Sequence, residues 1–146
     1  MSPISAHSRR LRCGVAHEDD VAHANGVIRS MVGGHLYELG VSAGGLVLRF
    51  SSSWEVSLGA ATSVGDAPPV ETTSADCVAA HMPLLVADLD AAGIGEDGVL
   101  TLTLAGTTIR CAPEGDYEAW QLNGPDGELI VCLPGGGLAI WSARPA

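Results

Sequence analysis

Apolar and polar residues alternate with a period of two through much of this chain. Leu46, Leu48 and Phe50 alternate with Val47 and Arg49, and Trp54, Val56 and Leu58 alternate with Glu55 and Ser57. Successive side chains of a strand point to opposite faces, so this rhythm predicts a sheet with one wet face and one apolar face. His35 to Val41 reads as the strand before them, with Leu36, Glu38 and Gly40 on one face and Tyr37, Leu39 and Val41 on the other. Ser42-Ala43-Gly44-Gly45 and Ser51-Ser52-Ser53 supply the turns, which makes a three-stranded meander.

The pattern then returns. The segment from Leu84 parallels the one from Met31: Leu100, Leu102 and Leu104 take the places of Leu46, Leu48 and Phe50, and Gly93 matches Gly40. A helix is expected before each meander. Glu18, Asp19 and Asp20 suit a helix N-terminus, and Val21, Ala24, Ile28 and Met31 recur at helical spacing. Ser74 can cap a second helix running to Met82, which Pro83 ends. A unit with one apolar face cannot stand alone, so two such units are expected to pack together.

Tyr117 to Trp141 adds three more short strands. Asn123-Gly124-Pro125-Asp126-Gly127 and Pro134-Gly135-Gly136-Gly137 form the turns between them, since Gly accepts positive φ and Pro pre-sets φ. The predicted fold is therefore α+β and mostly β. It comprises two duplicated helix–meander units with pseudo-two-fold symmetry and a C-terminal three-stranded antiparallel extension. Residues 1–17 read as a flexible tail and 18–146 as one domain. Within it, the first repeat spans 18–60, a loop 60–74, the second repeat 74–112 and the C-terminal strands 117–141. The loop is rich in Pro, Thr, Ser and Gly, and loops of such length are often functional.

Charge narrows the class of partner. The 146 residues carry a formal net charge of −10 and contain no Lys. Three of the seven Arg (Arg9, Arg10 and Arg12) precede every acidic residue, so from residue 13 onward the balance is 4 − 17 = −13. Such a body repels nucleic-acid phosphate and anionic lipid, and attracts a basic protein. No apolar run approaches the ~18 residues that span a membrane. Nothing resembles a secretory h-region either, so the cytoplasm is the expected compartment.

No catalytic constellation emerges from the remaining residues. Cys77 and His81 lie four apart on the second helix, but a structural zinc site needs four ligands and no second pair follows. Burial of Cys77 with His81 at the helix rim is the simpler expectation, and no metal or cofactor is assigned. Cys111 and Cys132 read as buried thiols. Asp88-Leu89-Asp90-Ala91-Ala92-Gly93 begins like a calcium loop, yet Ala92 and Val99 stand where oxygen ligands are needed. Gly135-Gly136-Gly137 lacks the Lys-Ser/Thr of a phosphate loop. Most of the few aromatics must serve the core, with Trp54 the candidate for an exposed binding contact. The set singled out for partner binding is Asp88, Asp90, Glu96, Asp97, Glu114, Asp116 and Glu118, carboxylates in turns and strand edges that a meander can gather on one side.

Tyr117-Glu118-Ala119-Trp120, then Pro134-Gly135-Gly136 and a final Trp141, resembles the C-terminal signature of a group of small uncharacterised actinobacterial proteins. The resemblance covers the C-terminal half well. It implies an immunity or partner protein made beside a secreted toxin, and brings no catalytic residues with it. A non-enzymatic, acidic protein-binding module is thus the expected function, with a basic toxin domain as partner. A small-molecule-binding barrel and a self-associating structural subunit, such as a homodimer, are the alternatives.

Overall fold

Glu18, Asp19 and Asp20 open helix α1 (Glu18–Val27), where their negative charge suits the exposed N–H groups and the helix dipole. Val21 and Ala24 turn inward, as do Ile28 and Met31 of the 3-10 turn that continues the helix, Ile28–Met31. The computed structural model describes residues 18–141, and the expected flexible tail lies outside the described residues. After the 3-10 turn come strands β1 (Leu36–Ser42), β2 (Gly45–Phe50) and β3 (Glu55–Leu58). The second half repeats this order with helix α2 (Ala75–His81), a 3-10 turn at Met82–Leu84, β5 (Leu89–Ile94), β6 (Leu100–Leu104) and β7 (Thr107–Cys111). Ser74 caps α2 by accepting a bond from the Cys77 N–H at 3.2 Å. The last strands are β8 (Trp120–Asn123), β9 (Leu129–Cys132) and β10 (Leu138–Trp141).

The strands form two antiparallel sheets. One has six strands in the order β1-β2-β3-β8-β9-β10, and the other has four, in which Thr62–Val64 (β4) is followed in order by β7, β6 and β5. The C-terminal strands therefore extend the first meander and leave the second one alone. Strand β4 (Thr62–Val64) falls inside the stretch expected to be a plain loop. It is three residues long and lacks the apolar alternation that marks the others, so pairing with Ile109–Cys111 of β7 makes it a strand. Thr62 and Val70 also exchange backbone bonds at 2.9 and 3.0 Å, which folds the remainder of that segment back against β4.

Inward residues of the two sheets share one core. Leu46, Leu48, Phe50, Val56, Leu58, Leu122 and Ile130 come from the larger sheet, and Leu100, Leu102, Leu104 and Ile109 from the smaller. Directional bonds fix how the sheets meet. The Gly33 N–H donates to the Leu89 carbonyl (2.9 Å) and the Leu36 N–H to the Ala87 carbonyl (3.0 Å). In return the Val86 N–H donates to the Leu36 carbonyl (2.7 Å) and the Leu89 N–H to the Gly34 carbonyl (2.8 Å). At the far end of β5, the Trp120 indole N–H of the larger sheet donates to the Gly98 carbonyl in the β5–β6 turn at 2.9 Å. Helix α1 is pinned by Asn25, whose side chain donates to the Ile94 carbonyl and accepts from the Ile94 N–H, both at 2.9 Å.

Trp54 is not the exposed contact expected of it. It is 1% accessible, and its indole N–H donates to the Ser30 hydroxyl at 2.9 Å. A Trp beginning a strand beside a serine turn looks peripheral in the sequence, but the turn is roofed by the 3-10 segment after α1.

Glycines give a contrasting pair of tests. Gly98 has φ +84°, and a Cβ there would lie 2.7 Å from the Gly136 carbonyl oxygen. Gly26 in α1 has nothing within 4 Å of such a Cβ. Gly98→Ala is expected to lower stability by more than about 1 kcal/mol through strain and backbone clash. Gly26→Ala should raise it by about 0.5–1 kcal/mol through helix propensity. Urea denaturation of both variants checks the opposite signs.

Candidate functional site: an acidic end shared by three segments

Strand register decides which carboxylates meet. Ile94 pairs with Leu100 across the β5–β6 turn, and Leu100 pairs with Cys111, so β7 ends beside that turn. The turn itself is tight. Gly95 N–H bonds the Val99 carbonyl at 3.0 Å, and the Asp97 carboxylate accepts from the Val99 N–H at 3.1 Å. Glu96 and Asp97 stand exposed at its tip.

The chain leaving β7 then arches over the same end. It is tied down at one foot by the Gly135 N–H, which donates to the Glu114 carbonyl at 2.8 Å. The other foot is Ala119, whose carbonyl accepts from the Gly59 and Ala60 N–H groups at 2.8 and 3.0 Å. Between the feet, Asp116, Tyr117 and Glu118 are exposed, and Glu114 is half-buried. Tyr117 reports the local field: its hydroxyl is pushed above the ordinary tyrosine value, first by partial desolvation, then by the charges of Glu114 and Glu71, with Asp116 adding to them. Glu71 thus joins the group from the segment between β4 and α2.

Five of the seven carboxylates proposed from sequence are gathered here: Glu96, Asp97, Glu114, Asp116 and Glu118. Asp88 and Asp90 are not. Leu89 pairs with Leu104 at the opposite end of β5, and the backbone of Asp88 pairs with that of His35 in an isolated antiparallel β-bridge where the two sheets exchange backbone bonds. Period-two alternation shows which residues face solvent but says nothing of which strand end lies beside which. Glu71 went unnamed in the sequence although its loop was singled out, because its position depends on the fold-back of that loop against β4. Arg110 is exposed one residue inside the same end of β7. Arg49, by contrast, is engaged on the larger sheet, with Glu55 at 2.9 Å and Glu38 at 3.0 Å, and these carboxylates hold its guanidinium above its usual value.

The thiols of the described residues and the His81 imidazole are withdrawn from solvent. Cys77, Cys111 and Cys132 are free and buried. Burial raises all three thiols, and Cys132 is pushed up to about 12. His81 is fully buried and not at the helix rim as expected, because α2 sets it on the same inward face as Cys77. Its Nδ1 lies 2.8 Å from the Cys77 carbonyl and 3.8 Å from the Cys77 sulfur. Among the described residues, no group of three or more His, Cys, Asp or Glu is arranged to hold a metal ion. No helix among them is long and apolar enough to cross a membrane.

A family model described as a family of unknown function, DUF6188, matches residues 27–142. The chain belongs to that family. Neither the curated proteins nor the solved structures gave a match.

With Cys13 changed to Ser, the three buried thiols are expected to stay unreactive toward Ellman's reagent in the native protein at neutral pH. All three should react at once on unfolding in guanidinium. Fast labelling of any of them in the native state would show an accessible thiolate.

Proposed function

We propose that this protein is a non-enzymatic binding module whose acidic end docks a basic protein, in the manner of an immunity-type inhibitor or escort of a cognate toxin. One observation carries the reading: Glu71, Glu96, Asp97, Glu114, Asp116 and Glu118 arrive from three separate segments at one end of the body. Carboxylates so placed complement an Arg- or Lys-rich surface, and their summed field speeds the encounter. The exposed Tyr117 ring among them suits a hot-spot contact, since Tyr combines apolar area with cation–π capacity. The actinobacterial resemblance of the Tyr117–Trp141 signature points to the same class of partner. Three free cysteines agree with a reducing compartment, the cytoplasm.

The same reading holds that the body arose by duplication of a helix–meander unit packed about a pseudo-two-fold axis. Equivalent positions differ by a constant offset: 86 − 33 = 53 and 89 − 36 = 53. The four backbone bonds between the sheets exchange under that offset, Gly33-to-Leu89 with Val86-to-Leu36 and Leu36-to-Ala87 with Leu89-to-Gly34. Val86 even keeps the positive φ of Gly33, 67° against 98°. Both first strands bulge at matching places, Leu36/Glu38 and Leu89/Ala91.

Co-expression with the product of the adjacent reading frame tests the binding reading. A stable complex is expected, and its association rate should fall at least tenfold on neutralising the end with Glu96→Gln, Asp97→Asn, Glu114→Gln, Asp116→Asn and Glu118→Gln together. Asp88→Asn with Asp90→Asn serves as the control and should leave the rate nearly unchanged. Equal effects of the two sets, or recovery of a small ligand and no protein, would sink the proposal.

A further inference from the structure

His81 is a buried titratable group that the acidic end does not use. Its ring is 0% exposed, at the C-terminal end of α2. The Cys77 carbonyl 2.8 Å from Nδ1 only accepts, so Nδ1 carries the proton and Nε2 holds a lone pair. Nε2 is buried and has no hydrogen-bond partner. The neutral ring tolerates that position, whereas the protonated ring would place an N–H and a full charge there with no acceptor.

Among the described residues, no neighbouring carboxylate offsets such a charge. Helix α2 packs against β1 of the larger sheet, β4 of the smaller and the 3-10 turn that follows it. On α2 itself the other titratable groups are the exposed Asp76 and the buried Cys77. Strand β1 brings Tyr37 and Glu38, both exposed, while β4 and the 3-10 turn bring none. From β7 behind β4 come the exposed Arg110 and the buried Cys111 thiol. Burial accordingly holds His81 below the ordinary histidine value, with the Cys77 carbonyl opposing only in part.

We propose that His81 is an acid-sensitive latch: its protonation releases α2 from its seat against β1 and β4 while the two sheets stay folded. Local release is favoured over global unfolding because α2 is only seven residues long and buries just Cys77 and His81. A helix of that length has little stability of its own, whereas the sheets are held by pairing and a shared core. The direction follows from linkage. Above about pH 6.5, the ordinary histidine value, both forms are neutral and α2 is fully docked. As pH falls below it, the released form binds the proton more readily, so docking is lost progressively toward the depressed value of the docked ring.

Hydrogen exchange on the full chain at several pH values tests this. Protection factors, corrected for intrinsic exchange, are expected to fall by up to tenfold per pH unit below about 6.5 at Val78 and Met82. Those at Leu48 and Leu122 should hold. His81→Asn, whose amide can still donate to the Cys77 carbonyl but cannot titrate, should flatten the dependence at Val78 and Met82. If that variant does not fold, the wild-type exchange data and the NMR titration of the His81 ring decide. Protection that ignores pH, or that falls in step at all four amides, overturns the latch. So does a ring titrating at or above the ordinary histidine value.

Discussion

The carbonyl of Gly98 is the point on which the two sheets are aligned. Each sheet has one apolar face, and burial of those faces drives them together without dictating an angle or an offset. Direction comes from polar groups that must find partners once water is excluded. The Trp120 indole N–H reaches Gly98 from β8, and the Cys132 sulfur approaches the same oxygen from β9 at 3.7 Å. Only a glycine fits there, with positive φ and the Gly136 backbone close by. The opposite end of β5 is held by reciprocal backbone bonds between residues 33–36 and 86–89. Between those two joints the core has one way to close.

That joint also sets where charge accumulates. The Gly98 turn carries Glu96 and Asp97 at its tip, and the β9–β10 turn packed beside it ties down Glu114 through the Gly135 N–H. The arch of Asp116, Tyr117 and Glu118 follows from those constraints. The acidic end is thus a by-product of sheet alignment: moving the joint would scatter the carboxylates. At the other end of β5 the same register isolates Asp88 beside His35. The placement of the carboxylates and the packing of the core are coupled in this molecule through strand register.

Buried polar groups divide into two kinds. Trp54, Trp120 and Asn25 spend their hydrogen-bonding groups on joining elements distant in sequence, which adds specificity to an otherwise greasy interface. His81 does not. One of its nitrogens closes a bond within its own helix and the other is left without a partner in the interior. A satisfied group stabilises at every pH, and an orphaned titratable one makes stability conditional on pH.

Much of the architecture was legible in the residues themselves. Alternation, its recurrence after Leu84 and the Gly/Pro turns together marked nine of the ten described strands, and three acids and a capping serine marked the two helix starts, because these signals are local and stand on one face or one turn. The recurrence of the Met31 pattern at Leu84 carried the matching element order. What alternation cannot encode is which strand ends become neighbours. That is why Asp88 and Asp90 fell away from the acidic set, and why Glu71 joined it only through the fold-back of its loop. Thr62–Val64 became a strand, Trp54 went inside and His81 moved from rim to core for the same reason. Each of these outcomes depends on a surface supplied by another part of the chain, and such surfaces exist only after the two sheets have met.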